Sequence, residues 1–264
     1  MLLKSIFGKI PINRYALFMK TNTALPIFAQ KFYRNYKASV QKPKIWYLAN
    51  IDLVYLQIPK IASTSVTRSL SKFILDQRGP VIELEKVGRK QVRAIAEVCA
   101  LHSSPKDTAR KYKTAYKFSL VRNPLERLWS CYKNKVLDPY RSGGENIFWN
   151  HGIQLDMSFD AFVHRIAKIP DHKINRHLKS QYWYLYCQDR CLANYIARFE
   201  SLTQDWSELV TQFGLPELPH ANPSSGYRQS YKEGYSKQTA RIASDRYQRD
   251  IELFGYRDEI SDML

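Results

Sequence analysis

No segment of this 264-residue chain reaches the roughly 18 consecutive apolar residues that a membrane-spanning helix requires. The apolar runs within residues 1–45 are also too short for the core of a signal peptide. Cysteine is sparse, with Cys99, Cys131, Cys187 and Cys191 only, which excludes a disulfide scaffold in a chain of this length. Cys187 and Cys191 flank a short loop and can either bridge in an oxidising compartment or remain thiols; the sequence leaves both open. A zinc site would need two further ligands nearby, and the sequence supplies none. Glycine is absent from the whole stretch between Gly8 and Gly79, so no Walker A loop of the form GxxxxGK[ST] exists there.

Acidic residues are in deficit, 24 against 41 Lys and Arg, giving a net charge of +17. Such a surface attracts polyanions, among them nucleic acid, anionic lipid, charged glycans and nucleotides with several phosphates. No zinc-finger spacing, RRM signature or basic zipper is present, so dedicated nucleic-acid binding is not expected. An apolar content of 44% with 13% aromatics excludes global disorder, and the length suits one sizeable α/β domain.

What is present begins with YLQIPKIASTSVTRSL at residues 55–70. Val54, Leu56 and Ile58 alternate with Tyr55 and Gln57 as in a half-buried strand, whereas Val66, Leu70, Phe73 and Ile74 fall at helical spacing. A strand feeding a helix through such a loop aims free N–H groups and a positive dipole end at one point, which suits an anion. Lys60 adds a charge there, and Ser63, Thr64 and Ser65 add hydroxyls. A second strand–helix junction, KFSLVRNPLERLWSCYKNKV, follows at residues 117–136. Asn123 and Glu126 predict a capping box with Pro124 at the first helical position. Leu125, Leu128, Trp129, Tyr132 and Val136 form the buried stripe. Arg122 and Ser130 can grip a second phosphate; equally, Arg122 can pair with a carboxylate.

Two such junctions, the first with Pro-Lys and hydroxyls and the second reading VRNPxxRLxS, resemble the carbohydrate sulfotransferase family of Golgi glycan sulfotransferases and bacterial relatives. Four downstream segments follow in the family's order: NRHLKSQYWYL, ANYIARFESLTQDW, LPHANPSSGYRQSY and YQRDIELFGY, so the resemblance runs from about Trp46 to Tyr256. It departs where many relatives have glycine and this chain has Ala62 and Ser63. The resemblance implies a P-loop-NTPase-like α/β fold, a central parallel sheet flanked by helices. It also implies transfer of the sulfuryl group of 3′-phosphoadenosine-5′-phosphosulfate (PAPS) to a carbohydrate hydroxyl, without a metal. Pro59, Lys60, Ala62, Ser63, Thr64 and Ser65 then hold the 5′-phosphosulfate, and Arg122, Ser130 and Arg228 complete the cofactor site. Lys60 stabilises the leaving phosphate, His102 is the expected base, and Arg176, His177 and Gln181 contact the acceptor.

Elsewhere the pattern predicts a basic helix over 85–100 ending just before His102, a loop over 138–154, helices over 157–169 and Leu202–Phe213, a lid-like loop over 222–235, and a final helix capped by Ser236. The rings of Tyr182, Trp183, Tyr184 and Tyr186 suit either sugar stacking or the core. Residues 1–45 form a basic arm, read as a packing extension or a membrane-surface contact, ahead of a single domain over 46–264. A cytoplasmic enzyme, peripheral to the membrane at most, follows most simply; the Golgi lumen is the alternative if an anchor is missing from this chain. Two other functions compete: an ATP-dependent phosphotransferase, and a non-catalytic binder of heparin-like polyanions.

Overall fold

The computed structural model describes residues 42–77, 87–219 and 230–264. Strands β1 (Lys44–Leu48), β2 (Leu53–Gln57), β3 (Ala100–His102) and β4 (Tyr116–Val121) join β7 (Tyr195–Arg198) in one sheet of order β3-β1-β2-β4-β7. β2, β4 and β7 are parallel, whereas β1 runs antiparallel to both β2 and β3. The sheet is therefore mixed, with the expected parallel strands on one side and an antiparallel edge on the other.

The alternation read in β2 does not produce one wet face. Leu53, Val54, Tyr55 and Leu56 are all buried, because helices cover both faces, as is usual for parallel strands. Tyr55 stacks on Phe118 of β4 at 5.1 Å, and Phe118 meets Trp206 edge-on at 6.0 Å.

Helix α1 (Ser63–Asp76) follows β2 and buries Val66, Leu70, Phe73 and Ile74 as its spacing predicts. Helix α2 (Arg89–Cys99) is shorter than expected: residues 85–86 lie outside the described residues, and the chain turns extended at Ala100. α3 (Pro105–Lys111), capped by Ser104, leads into β4. Helix α4 (Pro124–Tyr132) passes without a break into a π-helical turn at Lys133–Leu137 and then α5 (Asp138–Ser142). The expected loop over 138–154 is thus helical for its first turn; Pro139 at an early helical position is compatible with that, and Gly143 ends it at φ 66°.

α6 (Phe159–Ala167) buries Phe159, Phe162, Val163 and Ile166. α7 (Tyr182–Leu185) leads into a hairpin of β5 (Tyr186–Cys187) and β6 (Arg190–Cys191), turned by Gln188 and Asp189 at positive φ. All four cysteines are free thiols. α8 (Leu202–Phe213) matches the sequence reading, and α9 (Lys237–Arg246) starts with the Ser236–Thr239 capping box. α10 (Gln248–Leu253) and α11 (Arg257–Ile260) close the fold. Asp250 of α10 accepts the N–H groups of Gln181 and Tyr182, both at 2.7 Å. The C-terminal helices therefore brace the 175–185 segment from behind.

Candidate active site

The first junction is strained and open. Lys60 and Ala62 both adopt left-handed backbone, at φ 72° and 58°, where an L-residue pays a steric penalty and glycine does not. Ala62 is the N-cap of α1 and offers no side-chain acceptor. Its carbonyl takes the N–H groups of Ser65 and Val66, which leaves those of Ser63 and Thr64 with no helical acceptor. These are the donors an anion would use.

The second junction is closed. Asn123 Oδ1 accepts the N–H groups of Leu125 and Glu126, Pro124 has none to offer, and the Asn123 N–H donates to Glu200 at 2.6 Å. The capping box expected with Glu126 is not made, because that carboxylate takes the Arg122 guanidinium at 2.7 Å and Glu200 replaces it. The carboxylate pairing weighed for Arg122 is therefore real. Arg122 nonetheless reaches across to the Lys60 carbonyl at 3.4 Å and lies 4.0 Å over the Phe199 ring, with its Nε buried and without a hydrogen-bond partner.

A cleft of about 430 Å³ opens at the C-terminal ends of β2 and β4, the usual ligand position in such sheets. Pro59, Lys60, Ala62, Ser63, Thr64, His102, Arg122, Ser130, Arg176 and His177 all line it. Among the described residues that line it, six are Lys or Arg and none is Asp or Glu. Ser65 lies outside the lining, and Arg228 lies outside the described residues.

Gln181 is not an acceptor contact in this structure. It is fully buried, and its amide clamps the Arg122 backbone, accepting the N–H at 2.9 Å and donating to the carbonyl at 2.8 Å. Of the four clustered rings only Tyr184 lines the cleft, and it is buried with its hydroxyl bonded to the Arg176 carbonyl. Tyr182 instead stacks on Tyr186.

Lys60 is held down to about 8, first by burial and then by the charges of Lys135, Arg122 and Arg127. The Cys131 thiol beside it, pushed up to about 11 by burial, is uncharged at neutral pH and gives no counter-charge. Anion binding would raise that value and hold the ammonium form to higher pH.

His102 is not at a helix end but on edge strand β3. The sheet register aligns it with Lys44, itself opposite Gln57, so the three form a row at the cleft. Its Nδ1 lies 3.0 Å from the Lys42 carbonyl, an acceptor only, so Nδ1 carries the proton and the neutral ring keeps Nε2 as the basic nitrogen. His177 is oriented similarly: Asn175 Oδ1, fixed by the His177 N–H, also accepts from Nδ1 at 2.9 Å. Burial and the cations around His177 keep it well below the usual imidazole range, hence neutral.

The sequence reading missed four contributors. Arg127, only 2% exposed, donates to the carbonyls of Pro59 and Lys179 at 3.0 and 2.9 Å and binds the first loop to the 175–181 segment. Asn134 and Lys135 enter the cleft from the π-helical turn, an irregularity common at functional sites. Lys44 lines it from β1, and burial with Arg176 nearby lowers its pKa. RLxS spacing shows Arg127 on α4 but not its buried partners, and nothing in the sequence marks a π turn.

Mixed sheet, open helix start and cation-lined cleft together make an α/β domain with a cleft suited to an anion. The chain belongs to the sulfotransferase family, matching it over residues 43–257. It is similar to carbohydrate sulfotransferase 11 of Rattus norvegicus, 24% identical over 184 residues, covering 62% of this chain and 51% of the relative. The protein of the same name from Mus musculus matches equally. Carbohydrate sulfotransferase 10 of Xenopus laevis is 24% identical over 239 residues, covering 78% of this chain and 65% of the relative. The chain thus spans about half to two thirds of the length of these relatives. No solved structure matches it significantly. Membership implies a sulfuryl donor. Among the described residues no cluster of three or more His, Cys, Asp or Glu is placed to hold a metal.

The cytoplasmic placement expected from the sequence does not stand, because the matched relatives are carbohydrate sulfotransferases, Golgi membrane enzymes. That expectation rested on the lack of a spanning segment. No helix among the described residues is long and apolar enough to cross a membrane, but this carries no information on the compartment in which a folded domain works. The membrane contact expected of residues 1–45 has no support; residues 1–41 lie outside the described residues.

Proposed function

We propose that this chain, through a single domain over residues 46–264, transfers the sulfuryl group of PAPS to a hydroxyl of a carbohydrate acceptor by in-line displacement. The observation that carries the reading is the cleft itself: among the described residues lining it, six Lys or Arg and no carboxylate, set against a helix start whose first N–H groups have no helical acceptor. The residues fit the donor. The Ser63 and Thr64 N–H groups with Lys60 suit its 5′-phosphosulfate, and Arg122, whose Nε lacks a partner, suits with Ser130 the 3′-phosphate. The donor supplies an activated sulfuryl group on a good leaving phosphate.

The chain supplies position and charge. Lys60 stabilises the negative charge that grows on the leaving phosphate oxygen. His102, exposed on the edge strand, takes the acceptor hydroxyl proton at Nε2. Arg176 and His177 orient the acceptor, Gln181 acts by holding Arg122, and Lys135 adds charge beside Lys60. The carbohydrate acceptor is supported by the names of the relatives.

The test is incubation with labelled PAPS and a panel of glycans, with and without EDTA. Label should pass to glycan and survive the chelator. Transfer from ATP that stops on chelation would establish a phosphotransferase instead; steeply salt-dependent glycan binding without turnover would establish a binding protein.

A further inference from the structure

Arg122 is held at both ends. The Gln181 amide clamps its backbone N–H and carbonyl, at 2.9 and 2.8 Å, so any rearrangement there falls to the side chain. That side chain lies 4.0 Å over the Phe199 ring and gives Nη2 to Glu126 at 2.7 Å. Nε and Nη2 form the side-on edge of a guanidinium, the pair of donors that grips two oxygens of one anion. Glu126 takes one of the pair; the other, Nε, is buried without a hydrogen-bond partner. A phosphate that took both would have to displace the carboxylate.

Glu126 is built to resist that displacement. The pair is largely withdrawn from water, at 14% and 27% side-chain exposure, so it is screened less than a surface pair. The neighbouring carboxylates already have partners. Glu200 accepts the Asn123 N–H and the Tyr256 hydroxyl, Glu259 pairs with Arg198, and Asp262 pairs with Lys232. Burial first, and then the charges of Glu126, Glu259, Asp262 and Glu200 together, push the Tyr231 hydroxyl up to about 12. A Glu126 stripped of Arg122 therefore faces like charge, with Lys133 as partial compensation.

The 3′-phosphate is common to the donor and to the spent nucleotide. Gripping it tightly stabilises both alike, adds nothing to the chemical step and slows the departure of product. We infer that Glu126 is a built-in competitor for Arg122, which keeps the grip on the 3′-phosphate exchangeable and speeds release of 3′,5′-adenosine bisphosphate. Glu126 is thus a positioning residue that acts through the guanidinium. The inference rests on Arg122 meeting the 3′-phosphate in the proposed reaction.

The experiment needs no acceptor and no turnover. Calorimetry gives the affinities of 3′,5′-adenosine bisphosphate and 5′-AMP, and stopped-flow displacement gives the rate at which the bisphosphate leaves. Glu126→Gln should bind the bisphosphate roughly three- to tenfold more tightly, through slower dissociation, and leave 5′-AMP unchanged. Glu126→Ala should do the same, which separates loss of the charge from any new bond made by glutamine. In an Arg122→Ala background the gain should shrink to less than about twofold. Unchanged or weaker bisphosphate binding by both Glu126 variants would overturn the inference, the weaker result making Glu126 an aid to the arginine's aim. An equal gain for 5′-AMP, or a full gain without Arg122, would overturn it too, by making Glu126 a plain repelling charge. Failure of the proposed reaction shows separately, as a wild-type protein that binds no nucleotide; the inference then falls with it.

Discussion

The two strand–helix junctions look alike in sequence and are built for different work. At the β2–α1 turn the N-cap is an alanine in left-handed backbone, two N–H groups have no helical acceptor, and the nearest charge is Lys60. At the β4–α4 turn Asn123 caps, Glu126 neutralises Arg122, and Glu200 takes the remaining N–H. A helix start that satisfies itself has nothing left for a ligand, whereas one that does not keeps its dipole and donors available. The first junction can cradle an anion with its backbone; the second can contribute only side chains.

The largest losses should come from the charge at the open turn and from the base beside it. Lys60→Ala should lower kcat by about 10²–10³-fold while the protein stays folded, since its charge acts on the leaving group. His102→Ala should lose about 10²–10⁴-fold with nucleotide affinity intact. Steady-state kinetics beside thermal unfolding would check both, and a Lys60→Ala enzyme with wild-type turnover would remove the Lys60 charge from the mechanism.

Stability should move in opposite directions. Asn123→Ala removes a cap that holds two N–H groups and should destabilise by about 1 kcal/mol. Ala62→Gly relieves left-handed strain at the open turn and should stabilise by about 0.5–1 kcal/mol after glycine's own entropy cost. Denaturant unfolding of both variants reads the contrast directly; destabilisation by Ala62→Gly would mean the open turn is not strained.

The pH dependence sharpens the same point. Lys60 titrates near 8 in the free protein, so its charge is full below that pH and lost above it. Affinity for 3′,5′-adenosine bisphosphate should fall as pH rises through about 8, and Lys60→Met should abolish that limb. The linkage to folding has the opposite sense. The folded-state value lies below the ordinary 10.5, so the unfolded chain binds more protons between the two values and stability rises with pH across that window.

Much of this was legible from the residues. The Pro-Lys-hydroxyl turn, Arg122 and Ser130 do meet at one cleft, and stripes such as Val66–Leu70–Phe73–Ile74 are buried as spaced. What failed did so where a local pattern has two physical outcomes. Alternation in β2 says nothing about whether a second layer covers the outer face. Asn-x-x-Glu permits a capping box, but Glu126 finds a stronger partner in Arg122 one turn away. Gln181 was expected to contact the acceptor, yet its amide makes a two-point clamp on a backbone 59 residues distant in sequence. His102 was placed near the site but on the wrong element, because helix periodicity does not show where α2 gives way to a three-residue edge strand.

The division of labour between the turns is tested most directly by calorimetric titration of 3′,5′-adenosine bisphosphate and of 5′-AMP into wild type and Arg122→Ala. Loss of a charge-assisted contact to the 3′-phosphate should weaken the bisphosphate by about 1.5–3 kcal/mol and leave 5′-AMP nearly unchanged. Equal losses for both ligands would contradict the account, placing Arg122 at the 5′-phosphate with Lys60.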